Sequence, residues 1–231
     1  MVDPDDDRGA GEVEAPGWAA IDRALARRYP GQLPHQFASK TAYELESQSP
    51  LPAIAAYEGE GPPHWHFVTY GLSELFEKTS PDPDLSGFGF ELTLRTPRSA
   101  GEAHPPAWPL RFLQALGGHV LATGAPLDTG HRVDLGGPLA PGHGALLRAL
   151  ALVPDPTLGK IDAPFGSLLF LQVVGLSAAE LEGMRRLAPE KVVMLLAELD
   201  PLGLTDPTRG CWTTDERKAP ALRRYQLGIE L

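Results

Sequence analysis

Two histidines two residues apart, His64 and His66 in the run Pro63-His64-Trp65-His66, are the pair in this 231-residue chain whose spacing most readily suggests chemistry. On a strand, residues two apart project to the same side, so both imidazoles would share one face and Trp65 would take the other. Two such rings can ligate a metal, but zinc needs a third and usually a fourth ligand, and none stands at a diagnostic distance. The other histidines, His35, His104, His119, His131 and His143, show no ligand spacing of their own. A metal-assisted hydrolase on His64 and His66, with Glu91 as general base, is therefore the alternative reading. The leading one has these rings satisfied by neighbouring backbone or carboxylates, with no metal and no cofactor.

Other catalytic patterns lack their warrant. No Gly-x-Ser-x-Gly elbow occurs, and Gly159-Lys160 is followed by Ile161 without the upstream glycine of a phosphate loop. Gly87-Phe88-Gly89-Phe90 runs into a strand, where a dinucleotide fingerprint would open a helix. Cys211 sits beside Trp212 with no activating base nearby in sequence, and a single cysteine builds neither an intrachain disulfide nor a thiolate cage. A formal charge of −10, a pI near 5.1 and the absence of any basic run argue against nucleic acid. The same acidity suits a basic protein partner.

The elements that would hold these residues follow from periodicity. With 42% hydrophobic residues and a mean hydropathy of −0.15, the chain suits one soluble domain. Its longest apolar stretches, 145–153 and 168–176, are about half a membrane span, and residues 1–16 lack the apolar core of a secretory signal, so a cytoplasmic location away from membranes is expected. Residues 1–15 read as a disordered acidic lead, 16–213 as the domain and 214–231 as a tail.

Trp18, Ile21, Leu25 and Tyr29 make a helical stripe that Pro30-Gly31 stops. Strands are expected over 53–57, 64–70, 88–95, 131–135, 146–153 and 167–174, and a turn of helix over 72–76. The 88–95 strand is the clearest, since Phe88, Phe90, Leu92 and Leu94 alternate with Gly89, Glu91, Thr93 and Arg95. Pro109 opens a helix to about Ala122 in which Gly117-Gly118 is expected to mark a break, with the close approach of another backbone as the alternative. Ser177-x-x-Glu180 reads as a capping box, and Pro189 starts a further helix. The tail carries one short alternating run, 225–231, legible as an edge strand, a partner-binding end or a disordered segment. Irregular alternation of strands and helices points to α+β, a mixed β-sheet packed with helices. Trp65, Phe88, Phe90 and Trp108 are expected in its core.

Several segments carry more identity than packing requires. They are Gly17-Trp18 to Tyr29-Pro30, Pro63-His64-Trp65-His66, Tyr70-Gly71-Leu72-Ser73-Glu74-Leu75, Ser86-Gly87-Phe88-Gly89-Phe90-Glu91-Leu92-Thr93-Leu94-Arg95, Pro106-Ala107-Trp108-Pro109, Pro164-Phe165-Gly166, Phe170-Leu171-Gln172-Val173-Val174-Gly175 and Leu204-Thr205-Asp206. In this order they resemble the N-terminal domain of the Suppressor of Fused (SUFU) family over about residues 16–213.

The resemblance implies an α+β domain without known catalytic activity. Animal members bind and restrain Gli-type transcription factors, holding an extended peptide between this domain and a C-terminal one by strand addition and side-chain pockets. Bacterial members are single-domain proteins thought of as immunity proteins against polymorphic toxins, and the Ala-, Gly-, Pro- and Arg-rich usage here resembles a GC-rich bacterial proteome. This chain stops near the expected start of the second domain, so half of that clamp is expected to be missing. Where the animal pocket has a tyrosine, an aspartate and a histidine, this sequence has His119, His131 and Gly136, so Gli-type recognition does not carry over. What remains is a non-enzymatic module that occludes a protein partner, a toxin in the immunity reading, with His119, His131 and Asp134 as candidate partner-binding residues.

Overall fold

The computed structural model describes residues 14–38 and 49–228, so the expected disordered lead lies outside them except for its last two residues. Pro16–Arg28 forms α1. Strands β1 (His35–Ala38), β2 (Ala53–Gly59), β3 (His64–Tyr70) and β4 (Leu85–Pro97) follow as an antiparallel meander. After α2 (Ala107–Thr123) come β5 (Arg132–Asp134), β6 (Leu147–Pro154), β7 (Lys160–Ala163) and β8 (Gly166–Ser177). Helices α3 (Ala178–Met184), α4 (Pro189–Leu199) and α5 (Ala219–Gln226) complete the described chain.

The strands form one sheet in the order β1-β2-β3-β4-β8-β6-β5, with β7 pairing β8 off this path. The β4–β8 pair is parallel because the chain between them crosses over through α2, whereas the other pairs are antiparallel. This is the mixed sheet with packed helices expected of an α+β domain. Short β1 and β7 carry too few alternating residues to be legible beforehand.

Alternation sorts the side chains into two covered faces. On one, Trp65, Phe67, Phe90, Leu92, Leu94, Leu150 and Val173 pack with Trp108, Leu113 and Val120 of α2. The other face is divided. Ile21 and Leu25 of α1 cover Ala53, Ala55, Val68 and Phe170, while Met184, Leu195 and Leu222 from α3, α4 and α5 cover Ala149, Ala151 and Val174. Between these two apolar patches lies the polar side of β4, and it too is buried: Glu91, Thr93 and Arg95 are each 0% exposed. Trp65, Phe90 and Trp108 are core residues as expected, and Phe88 is half-buried.

Two local expectations are corrected. Helix α2 runs unbroken through Gly117-Gly118, because the loop before β2 occupies the space a side chain would take. A Cβ on Gly117 would fall 2.6 Å from Leu51 Cδ1, and one on Gly118 2.7 Å from Pro50 Cγ. Residues 72–76 form bends with no helical turn, since their leading amides bond to a side chain from β4. Within the tail, Ala219–Gln226 forms helix α5 with Pro220 in its first turn and Ala219, Ala221 and Leu222 buried, while the last three residues of the alternating run, 229–231, lie outside the described residues.

The capping box at α3 is present in both directions, Glu180 N–H donating to Ser177 Oγ and Ser177 N–H to Glu180 Oε2. Ser177→Ala is expected to cost about 1 kcal/mol in urea unfolding. An unchanged midpoint would show that the other hydrogen bonds of Glu180 hold the helix start alone.

Candidate functional site

The residues best equipped for chemistry are locked into the centre of the fold. His66 projects from β3 into the buried polar seam, where Nδ1 lies 2.7 Å from Tyr29 Oη and Nε2 lies 3.0 Å from Asp155 Oδ2. The neutral tautomer that accepts from Tyr29 at Nδ1 carries its proton on Nε2, which lies beside the Asp155 carboxylate without the alignment of a hydrogen bond. Burial, with the Arg95 charge second, lowers the His66 pKa to about 4, and burial raises that of Tyr29 to about 12, so both are neutral at pH 7.

Arg95, on β4, points the same way. Its guanidinium meets Asp155 at 2.8 and 2.9 Å, donates to Thr157 Oγ1 at 2.7 Å and also reaches Gln172 on β8. Asp155 further accepts from Thr93 Oγ1 and from the Thr157 and Leu158 amides. Burial opposes its charge, yet His66 and Arg95 hold its pKa far below the usual carboxylate range.

Glu91, the candidate general base, is a clasp for the backbone. Oε1 accepts the amides of Gly71, Leu72 and Ser73 at 2.8, 3.1 and 2.9 Å and the Ser73 hydroxyl at 2.7 Å, while Oε2 accepts the Thr69 hydroxyl at 2.7 Å. Burial nevertheless pushes its pKa up to about 7. With both oxygens consumed inside the fold, it has no reach toward a substrate. His64 lies with Nδ1 2.7 Å from the Pro62 carbonyl, its ring filling the space beside Gly59. His35 meets His104 edge-on, with ring centroids 5.7 Å apart, and not the His64–His66 pair. Among the described residues no group of three or more His, Cys, Asp or Glu side chains could hold a metal ion. The hydrolase reading thus finds its residues engaged in holding the fold.

Accessible functionality lies at the sheet edge formed by β5. Leu152 N–H donates to the His131 carbonyl and Leu135 N–H to that of Arg148. Antiparallel alternation then turns the N–H and C=O of Arg132 and Asp134 away from β6, toward no further strand among the described residues. The edge is held rigidly, because the Arg132 guanidinium caps the end of α3 through the Met184 and Leu187 carbonyls at 2.6 and 2.8 Å.

His119 is exposed on α2, and His131 and Asp134 are exposed along the edge itself. By alternation His131 belongs to the α2 side with Val133, and Asp134 to the α3 side with Arg132. His131 Nδ1 accepts the Asp128 amide at 3.1 Å, and Asp134 Oδ1 accepts that of Gly136 at 2.9 Å. Among the described residues no hydrogen bond or ion pair joins the three. The sequence reading placed His64 and His66 against backbone or carboxylate, as found at Pro62 and Asp155, but not the burial of the polar face of β4 that carries Glu91, Thr93 and Arg95.

Comparison with known proteins gives a consistent picture. The family model described as Suppressor of fused protein (SUFU) matches residues 47–210. The Suppressor of fused homologs of Homo sapiens and Mus musculus are each 34% identical over 211 residues, covering 84% of this chain and 43% of theirs. The chain thus spans less than half the length of the curated relatives it matches. A structure described as the Sufu-Fu complex aligns with a TM-score of 0.82 at 30% identity, covering 94% of this chain and 100% of that one. Drosophila Suppressor of Fused also gives 0.82 at 30%, covering 93% and 55%. A SUFU homologue from Neisseria gonorrhoeae gives 0.54 at 13%, covering 84% and 96%, a likeness of fold alone.

Proposed function

The chain belongs to the Suppressor of Fused family, and from that premise we propose that it is a non-enzymatic protein-binding module whose β5 edge receives an extended segment of its partner. The observation that carries this reading is the outward set of backbone groups on Arg132 and Asp134, on an edge already pinned to α3. Strand addition at such an edge draws affinity from main-chain hydrogen bonds and specificity from flanking side chains. His119 and His131 on one side, with Asp134 on the other, supply that flank. A relative of the same fold was crystallised as the Sufu-Fu complex, which supports binding of protein by this scaffold.

We assign the finer role of a cytoplasmic immunity protein that occludes a toxin. The formal charge of −10 complements a basic toxin surface and would speed the encounter. Among the described residues no helix is long and apolar enough to cross a membrane. The test is co-expression with the product of a neighbouring toxin-like open reading frame. Growth should be rescued by the parent and lost with Asp134→Pro, which removes one outward N–H while leaving the β6 ladder intact. Rescue that persists in Asp134→Pro and in His131→Ala would remove the β5 edge from the reading, and failure of the parent to bind the product would remove the toxin.

A further inference from the structure

Resting on the protein-binding reading but on different residues, we propose that the cleft between the 71–80 loop and the C-terminal end of α2 is a docking pocket for a partner segment presenting bulky apolar side chains flanked by Lys or Arg. The loop has no regular structure, yet it is fixed along its length. Glu91 holds its first three amides, and the Ser86 hydroxyl accepts the Glu74 amide at 2.9 Å. The Glu74 carboxylate accepts the Thr79 and Ser80 amides and pairs with Lys78 at 3.1 Å. Gly87 has a φ of +58°, and a Cβ there would fall 2.6 Å from the Leu72 carbonyl, so β4 is pressed directly against the loop.

A loop ordered by so many internal hydrogen bonds could fold its apolar side chains inward, yet Phe76 remains 44% exposed. Across the cleft Leu121 of α2 is 40% exposed. Together with Leu72, Leu75 and Phe88 they line a space of about 540 Å³. That is the size of a ligand cleft, and because its walls are fixed in advance little ordering entropy remains to oppose binding.

Charge selects the occupant. Glu77 is exposed on the rim, and Asp82 and Asp84 are exposed on the continuation of the loop. The one lysine of the segment, Lys78, is spent on Glu74 and on the Phe165 carbonyl at 2.9 Å. Burial works against the Glu74 charge, but the Ser80 and Thr79 amides and Lys78 hold its pKa down to about 2, so the Glu74–Lys78 pair is ionised and balanced at pH 7 and Glu77 gives the rim its net negative charge. The field over the cleft favours a basic flank and repels both an acidic segment and a second copy of this acidic chain.

The experiment pans a random-peptide phage library on the full chain, then titrates labelled synthetic copies of the enriched peptides by fluorescence anisotropy. Enriched sequences should join Phe, Trp or Leu to Lys or Arg. Phe76→Ala and Leu121→Glu should each weaken binding by about tenfold or more, as at interface anchors. Glu77→Lys should weaken it and flatten its salt dependence. Because Phe76 and Leu121 are only partly covered, a modest fall in melting temperature with a retained cooperative transition is expected, and it separates a damaged interface from a damaged fold. A selection with no enriched family, peptides without basic residues, or affinities indifferent to Phe76→Ala and Leu121→Glu would each overturn the proposal. Peptides lost in Asp134→Pro but kept in Phe76→Ala would overturn it while leaving the binding-module reading standing. A Phe76-dependent dimer in sedimentation would overturn it in favour of self-association.

Discussion

Asp155→Ala is expected to lower the stability of the fold by about 3–5 kcal/mol, a large part of the total for a domain of this kind. The cause is the company Asp155 keeps. Arg95 and His66 are fully buried against it, and Thr93, Thr157 and Leu158 donate to the same carboxylate. Removing the carboxylate strands a guanidinium where water cannot reach it, and that penalty exceeds what the broken hydrogen bonds had themselves contributed. Pairing Asp155→Ala with Arg95→Met should therefore cost less than the sum of the two single changes, because the double variant leaves no uncompensated charge. Urea unfolding of the cycle decides the matter: additive losses, or a loss under about 1 kcal/mol in Asp155→Ala, would show the seam to be solvated in practice.

The seam also sets the response to acid. The folded pKa of His66 lies near 4, below its unfolded value of about 6.5, so its contribution is present above 6.5 and is lost as pH falls through 4. The Asp155 pKa is depressed as well, so its contribution is present above about 3.8 and is lost as pH drops further. Acid destabilisation should accordingly come in two stages, with the neutral imidazole giving way before the carboxylate.

Glu91→Ala is the second large loss, expected at about 3 kcal/mol or more, since two buried amides, the half-buried Gly71 amide and two hydroxyls lose their acceptor together. The loop they anchor is the wall of the Phe76 cleft, so the same change should blur that surface. Glu91→Gln isolates the charge. With the folded pKa pushed up to about 7 by burial, above an unfolded value near 4.5, the contribution of Glu91 is complete below 4.5 and is lost as pH rises through 7. Between pH 5 and 8 the parent should lose more stability with rising pH than Glu91→Gln, while His66 acts equally in both. Superimposable profiles would mean that the five donors fully compensate the buried charge.

How much was legible beforehand can be judged on β4. Its alternation of Phe90, Leu92 and Leu94 with Glu91, Thr93 and Arg95 was plain, and so was the family resemblance in the segments around it. The alternation said that two faces differ without saying that both are covered. Arg95 finds Asp155 sixty positions along the chain and Gln172 seventy-seven, and no local pattern reports such a pairing. Gly117-Gly118 shows the same limit in a helix, because the reason for the glycines is Leu51 and Pro50, distant in sequence and adjacent in space.

Local patterns in the chain were sufficient for the long strands, the capping box at Ser177, the aromatic core and the kinship, because each depends on side chains a few residues apart or on an order of motifs. The tertiary structure alone decided that His66 and Glu91 hold the fold together, that Arg132 and Asp134 face outward at the sheet edge, and that Phe76 faces Leu121 across a cleft. Burial and exposure belong to the layers packed on an element, and those layers arrive from remote parts of the sequence.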